Sequence, residues 1–186
     1  MHKLISTLLL LVSSLSISSQ ASEIGLWYSA ANPDFKPFDT EYGWALTLEH
    51  DVTDDWFVKF NHYDSDFQAS GPRVGGLRVD YWQEVGAGYN LDHLFENLYV
   101  YASYTQISTT GEDLDGPAIH LGYRTEFSKE WSGFIQVGQL DTGFFDIQLE
   151  IQMQYQLNDA LCIAFGLRDH HKWDMTNYHL GVKWQF

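Results

Sequence analysis

The sequence predicts an all-β fold, a closed antiparallel transmembrane β-barrel of ten strands, and three observations carry that prediction. Apolar and polar residues alternate strictly over long stretches. The clearest is 147–157, where Ile147, Leu149, Ile151, Met153, Tyr155 and Leu157 oppose Gln148, Glu150, Gln152, Gln154 and Gln156. Turn-forming residues recur at intervals of about 30 to 40 residues, the length of one hairpin plus its connection. Beyond the N-terminal stretch no window holds the roughly 18 apolar residues of a membrane helix, although 16% of the residues are aromatic.

Taken in order, the chain opens with His2 and Lys3, an apolar stretch over 4–17 and the small-residue tripeptide Ser19-Gln20-Ala21, the pattern of a secretory signal peptide over 1–21. Ser13, Ser14 and Ser16 interrupt the apolar stretch, which is too short for a spanning helix of about 20 residues. The mature chain is expected to begin at Ser22. No Pro- or Ser-rich linker follows, so 22–186 reads as one domain. Strands are expected over 24–32, 41–51, 55–66, 77–90, 97–108, 116–127, 131–141, 144–157, 160–169 and 176–186. Short turns at 51–55, 91–97, 128–130 and 158–159 fall at one end with both termini, and longer acidic loops fall at the other. Eight strands result if 24–32 does not pair and one further segment fails. Segment 98–107 is strand-like but does not declare which face is apolar.

A soluble sandwich also alternates, so the chemistry of each face has to decide. One face is rich in Gly43, Gly86, Gly88, Gly122, Gly138, Gly166 and Gly181, small residues that suit a crowded lumen. The same face is expected to carry Glu49, Lys59, Arg78, Asp80, Glu84, Arg124, Glu126, Asp146, Glu150, Arg168 and Lys183. Charges in a narrow lumen must pair to offset desolvation, so ion pairs bridged by Gln148, Gln152, Gln154 and Gln156 are expected to close the passage. The other face places aromatics near strand ends: Trp56, Tyr89, Phe127, Trp131, Tyr155, Trp184 and Phe186 toward the short turns, and Tyr42, Tyr81, Phe145 and Tyr178 toward the loops. Two such girdles are the mark of a barrel in lipid. Lipid in turn demands closure, because an open edge would leave backbone groups unpaired in hydrocarbon.

The net charge of −15 and the scatter of ten Lys and Arg residues exclude a nucleic-acid partner, which needs clustered cations. The single cysteine, Cys162, allows no intramolecular disulfide and lies far from any lipidation site, so it reads as a small packing residue. Acidic residues gather in the expected loops, at Asp64, Asp66, Glu112, Asp113 and Asp115. Solubility accounts for them. A divalent cation or a lipopolysaccharide salt bridge is the sharper alternative.

The terminal stretch alternates too, with Tyr178, Leu180, Val182, Trp184 and Phe186 against Asn177, His179, Gly181, Lys183 and Gln185. Those five apolar residues resemble the C-terminal assembly signal of outer-membrane barrels, which usually ends in Phe. The hairpin pattern from Glu23 to Phe186 resembles the small barrels of the OmpX and OmpA-transmembrane-domain type. The resemblance implies a location in the Gram-negative outer membrane after signal-peptide cleavage. It also implies contact with outer-membrane lipid and lipopolysaccharide, and recognition by the barrel assembly machinery. A count of ten departs from the eight strands of those relatives.

No catalytic residues, metal ligands or cofactor are expected, and the protein is expected to be a monomer. The densest polar cluster is Arg168-Asp169-His170-His171-Lys172-Trp173-Asp174, in the last external loop. Its Asp and His residue types are those of the ten-stranded omptin proteases, but no second Asp pair stands at a recognisable spacing, and a polar loop tip is the plainer account. Ser103, His120 and Glu126 offer the residue types of lipid A-modifying barrels, which place them on the lipid-facing outer rim. The expected function is therefore a non-enzymatic barrel serving envelope structure or surface interaction through its acidic loops. A narrow solute channel and an outer-membrane hydrolase stand as alternatives.

Overall fold

The computed structural model describes residues 22–33, 40–64, 67–68, 78–111, 113–143 and 145–186. The expected signal peptide, Asp66 and Glu112 lie outside them. The barrel strands are β1 Ser22–Pro33, β2 Glu41–Asp51, β3 Trp56–Asp64, β4 Arg78–Asn90, β5 Leu98–Thr109, β6 Leu114–Glu126, β7 Trp131–Asp141, β8 Phe145–Asn158, β9 Leu161–His170 and β10 Met175–Gln185. A two-residue strand, Phe67–Gln68, pairs with the start of β4. Every strand is antiparallel to its sequence neighbour, and β1 pairs with β10, so the sheet closes into a ring of ten strands. Because β1 pairs on both sides, the eight-strand alternative falls. Closure reaches the last residue. The Ser22 amide donates to the Phe186 carbonyl at 3.0 Å, and the Phe186 amide returns a bond to the Ser22 carbonyl at 3.0 Å.

Side-chain oxygens make the short turns. Thr53 Oγ1 accepts from the amides of Asp55 (3.3 Å) and Trp56 (3.0 Å). Ser128 Oγ accepts from Glu130 (3.2 Å) and Trp131 (3.1 Å), and Asn158 Oδ1 accepts from Ala160 (3.0 Å). Hydroxyl and amide oxygens that hydrogen-bond to nearby backbone stabilise tight reversals and divert the chain from extended pairing.

Alternation divides the two faces as the periodicity requires. On β10 Tyr178, Leu180, Val182 and Trp184 are exposed, as are Phe186 just beyond it and Ile147, Leu149 and Ile151 on β8. Rings meet across strands at both ends of the outer face, Trp56 with Tyr89 and Trp131 with Tyr155 (centroids 5.0 Å apart in each pair) near the short turns, and Tyr28 stacked on Tyr42 (5.7 Å) toward the loops. The ambiguous strand β5 turns Tyr99, Tyr101, Ser103, Thr105 and Ile107 inward. Glycine makes the room they need: a Cβ at Gly122 would fall on the Tyr99 ring, and one at Gly88 on the Phe57 ring.

One part of the inward face differs from expectation. The β4–β5 register shifts between Val79 and Tyr81, a β-bulge that reverses the parity of the residues before it. Val79 therefore turns in and is buried, whereas Arg78 and Asp80 turn out and are exposed. Neither belongs to the lumen.

Candidate functional site in the lumen

The lumen is built in three tiers. At the loop end an apolar cluster fills the lumen beside a few buried polar groups: Trp82, Ile107, Leu140, Trp173 and Met175 belong to it with Trp27 and Tyr63. Trp173 comes from the turn at 171–174, the segment expected to be a polar loop tip, and it is completely buried. The turn is folded back over the barrel and fastened there. The Lys172 amide donates to Asp146 Oδ1 at 2.7 Å, His170 Nδ1 lies 3.3 Å from Asp146 Oδ2, and the Trp82 ring sits against both His170 (4.5 Å) and Trp173 (5.7 Å). Asp174 closes the reversal with a φ of 50°, a left-handed conformation that Asp tolerates better than most residues. Asp169 accepts from Thr176 Oγ1 at 2.8 Å instead of joining the histidines. Among the described residues no three His, Cys, Asp or Glu side chains converge as metal ligands.

Below the apolar tier lies a connected polar network. Arg168, 2% exposed, reaches Glu150 Oε2 through Nη2 (2.6 Å) and Nε (3.1 Å), and its Nη1 lies 3.6 Å from Glu84 Oε2. The other Glu84 oxygen faces His120 Nε2 at 3.4 Å. Gln136 joins the ends of the chain: its amide nitrogen lies 3.3 Å from His120 Nδ1 and 3.5 Å from Glu150 Oε2, and its oxygen accepts from the Tyr99 hydroxyl at 3.0 Å. The guanidinium carbon of Arg168 also stands 4.7 Å from the centre of the Tyr63 ring. Side chains from seven strands, β3 to β9, thus meet across the lumen at one level.

The short-turn end is open. A cavity of about 420 Å³ is lined by Glu23, Glu49, Asp51, Lys59, Arg124, Glu126 and Lys183 among others. Arg124 Nη2 binds Glu49 Oε1 at 2.6 Å, with the guanidinium carbon 4.8 Å and 4.7 Å from the Phe57 and Tyr99 ring centres. Lys183 pairs with Glu23 and donates to Gln154 Oε1 at 3.0 Å.

Of the eleven charges expected in the lumen, Glu84, Glu150 and Arg168 meet in the middle tier and Asp146 holds the plug. Glu49, Lys59, Arg124, Glu126 and Lys183 line the cavity, where Glu126 is exposed. Arg78 and Asp80 are the two misplaced by the bulge. His120, Gln136, Tyr63 and Tyr99 join the network, and His170 the plug, without having been singled out for it; inward parity was the available signal for all but Tyr99, whose strand does not declare its faces. Ser103 and His120 are buried inside the barrel and not on its lipid-facing rim, and Glu126 lies at the opposite end, so the lipid A-modifying arrangement is not formed. Cys162 is buried on the inward face of β9, as a packing residue should be.

No family model and no curated protein matches the chain. Solved structures do. The KdgM porin shares 10% identity with a TM-score of 0.49, covering 87% of this chain and 99% of its own. Ail, the attachment invasion locus protein of Yersinia pestis, in complex with sucrose octasulfate, shares 16% identity at a TM-score of 0.40, covering 91% and 100%. The N-terminal β-barrel domain of Pseudomonas aeruginosa OprF shares 13% at 0.37, covering 88% and 97%. Likenesses at these identities and scores leave function unassigned.

Proposed function

We propose that this protein is a non-enzymatic, non-conducting barrel of the outer membrane that serves envelope structure or surface interaction through its acidic loop end. The observation that carries the reading is the double seal of the lumen. The Trp82–Trp173 plug lies above a network in which Arg168 bridges two carboxylates. A solute path would have to break both.

The membrane part of the reading is supported by the outer face, where Leu26, Val85, Leu121, Val137, Ile163, Phe165 and Leu180 are exposed on strands all round the ring. A continuous apolar surface of this extent is foreign to a soluble monomer and suited to hydrocarbon. The expected signal peptide over 1–21 supplies the route. The exposed terminal residues Tyr178, Leu180, Val182, Trp184 and Phe186 supply an assembly signal, and removing Phe186 should lower the amount of assembled barrel. Short turns then face the periplasm and the acidic loops face outward.

The test is direct. Fractionation should place the protein in the outer membrane, and the purified barrel in planar bilayers should show no stable single-channel conductance at neutral pH. A mainly soluble periplasmic pool overturns the location, and reproducible channels from the unmodified protein overturn the sealed barrel.

A further inference from the structure

The cavity at the short-turn end has its charges sorted by depth. Strand register sets the order. Asp51 stands opposite Phe57 at the end of β2, and Glu49, one inward position deeper, stands opposite Lys59. On the far wall Glu126 stands opposite Ser132 at the mouth, and Arg124, one inward position deeper, opposite Phe134. Asp51 and Glu126 therefore rim the opening, while Lys59 and Arg124 lie deeper, beside Glu49.

One floor cation, Lys59, makes no direct ion pair, although Glu49, Glu84 and Glu150 lie within its electrostatic reach. Glu49, the cross-strand partner of Lys59, gives its carboxylate to Arg124 on the opposite wall, and Glu23 gives its own to Lys183. Among the described residues no carboxylate lies within ion-pair distance of Lys59, whose ammonium stands 5.3 Å from the centre of the Phe134 ring and 5.9 Å from that of Tyr101. Ring faces attract an ammonium but leave its hydrogen-bond donors unused. At the mouth, Asp51 and Glu126 form no ion pair among the described residues, so the rim carries the opposite unspent charge. A volume of about 420 Å³ falls within the range of small-molecule sites.

We propose that this cavity binds small zwitterions of the amino-acid or short-peptide class, carboxylate inward on Lys59 and ammonium outward between Asp51 and Glu126. A simple anion would meet the acidic rim, and a simple cation would leave the unused donors of Lys59 without an acceptor. A dipolar ligand a few bonds long satisfies both. The proposal rests on the cavity and holds whether or not the barrel conducts and whichever way it faces in the membrane.

The probe is L-alanyl-L-alanine, titrated by calorimetry into the detergent-solubilised full barrel beside its C-terminal amide and its N-acetyl derivative. The free dipeptide should bind, and each blocked form should bind about tenfold more weakly, the loss expected when one charge-assisted contact is removed. Lys59→Met should bind the dipeptide and its amide equally, and Lys59→Arg should restore the preference. Equal binding of the dipeptide and its amide by the unmodified protein, or no binding of any of the three, overturns the proposal without reference to any variant's folding.

Discussion

Arg168 and Glu150 face each other across neighbouring strands β9 and β8, with two guanidinium nitrogens 2.6 Å and 3.1 Å from a single carboxylate oxygen in the buried middle of the barrel. The remaining guanidinium nitrogen is left to serve Glu84. Arg168→Met should therefore strand two buried carboxylates and lower the unfolding free energy by about 3–5 kcal/mol, the usual result of removing one partner from a buried pair. Arg124→Ala should cost only about 1 kcal/mol, because the Arg124–Glu49 pair, with side chains 36% and 23% exposed, meets the water of the cavity. Urea titrations of both variants in the same detergent give the comparison, and equal losses would contradict the tiered lumen.

Trp82 and Trp173 close the loop end in mutual contact, so their losses should not add. Each Ala replacement should remove about 3–5 kcal/mol of stability as a buried ring is deleted. The double variant should begin to show brief conductance steps in planar bilayers where the unmodified protein is silent. A double variant that is folded and still silent would place the whole seal in the polar network.

Gly122 is where the Tyr99 ring lies over the β6 backbone. Gly122→Ala should push that ring aside, break the 3.0 Å bond from the Tyr99 hydroxyl to Gln136, and cost about 1–3 kcal/mol as an overpacked site. Gly166→Ala, whose Cβ would meet the Ile151 carbonyl oxygen at 3.4 Å and the Gln152 side chain at 3.8 Å, is the matched control. A neutral Gly122→Ala would mean that the ring moves freely.

Leu180 lies near the middle of β10 on the outer face. Leu180→Arg should destabilise the barrel in lipid vesicles by about 2–4 kcal/mol, as a cation at the midplane of a membrane barrel does. A soluble barrel would accept the same change without loss. Urea unfolding in vesicles separates the two.

The two-residue period carried most of the architecture, because a strand buried on one side has to alternate and a ring of such strands leaves little freedom. It placed the outer face of β8 and β10 residue by residue. It failed at Arg78 and Asp80, since a bulge is one extra residue that leaves no mark in hydropathy. It also failed at Trp173. A tryptophan among Asp, His and Lys reads as part of a polar loop, and only the return of the 171–174 turn into the lumen shows that it belongs inside. The middle network was half visible: its carboxylates and arginine stood out as inward charges, whereas His120 and Gln136 became members only through the lengths and angles of side chains reaching across the ring.

The mutual hydrogen bonds of Ser22 and Phe186 mean that the cylinder has a seam but no weak joint. The junction of β1 with β10 runs over eleven residue pairs in register. It alone brings together segments that lie far apart along the chain, Glu23 and Gln185 being 162 positions distant. The nine other junctions are hairpins, so the sheet can grow by local steps until a single non-local docking event completes it. Such an event is set by chain search and not by contact strength. Until it happens, the growing sheet carries two unpaired edges, each a template for pairing with another chain. Once zipped, the circle has no preferred starting point. A permuted chain that bridges the seam with a short linker and opens at the 128–130 turn would contain the same ten junctions, differing only in which of them must form last.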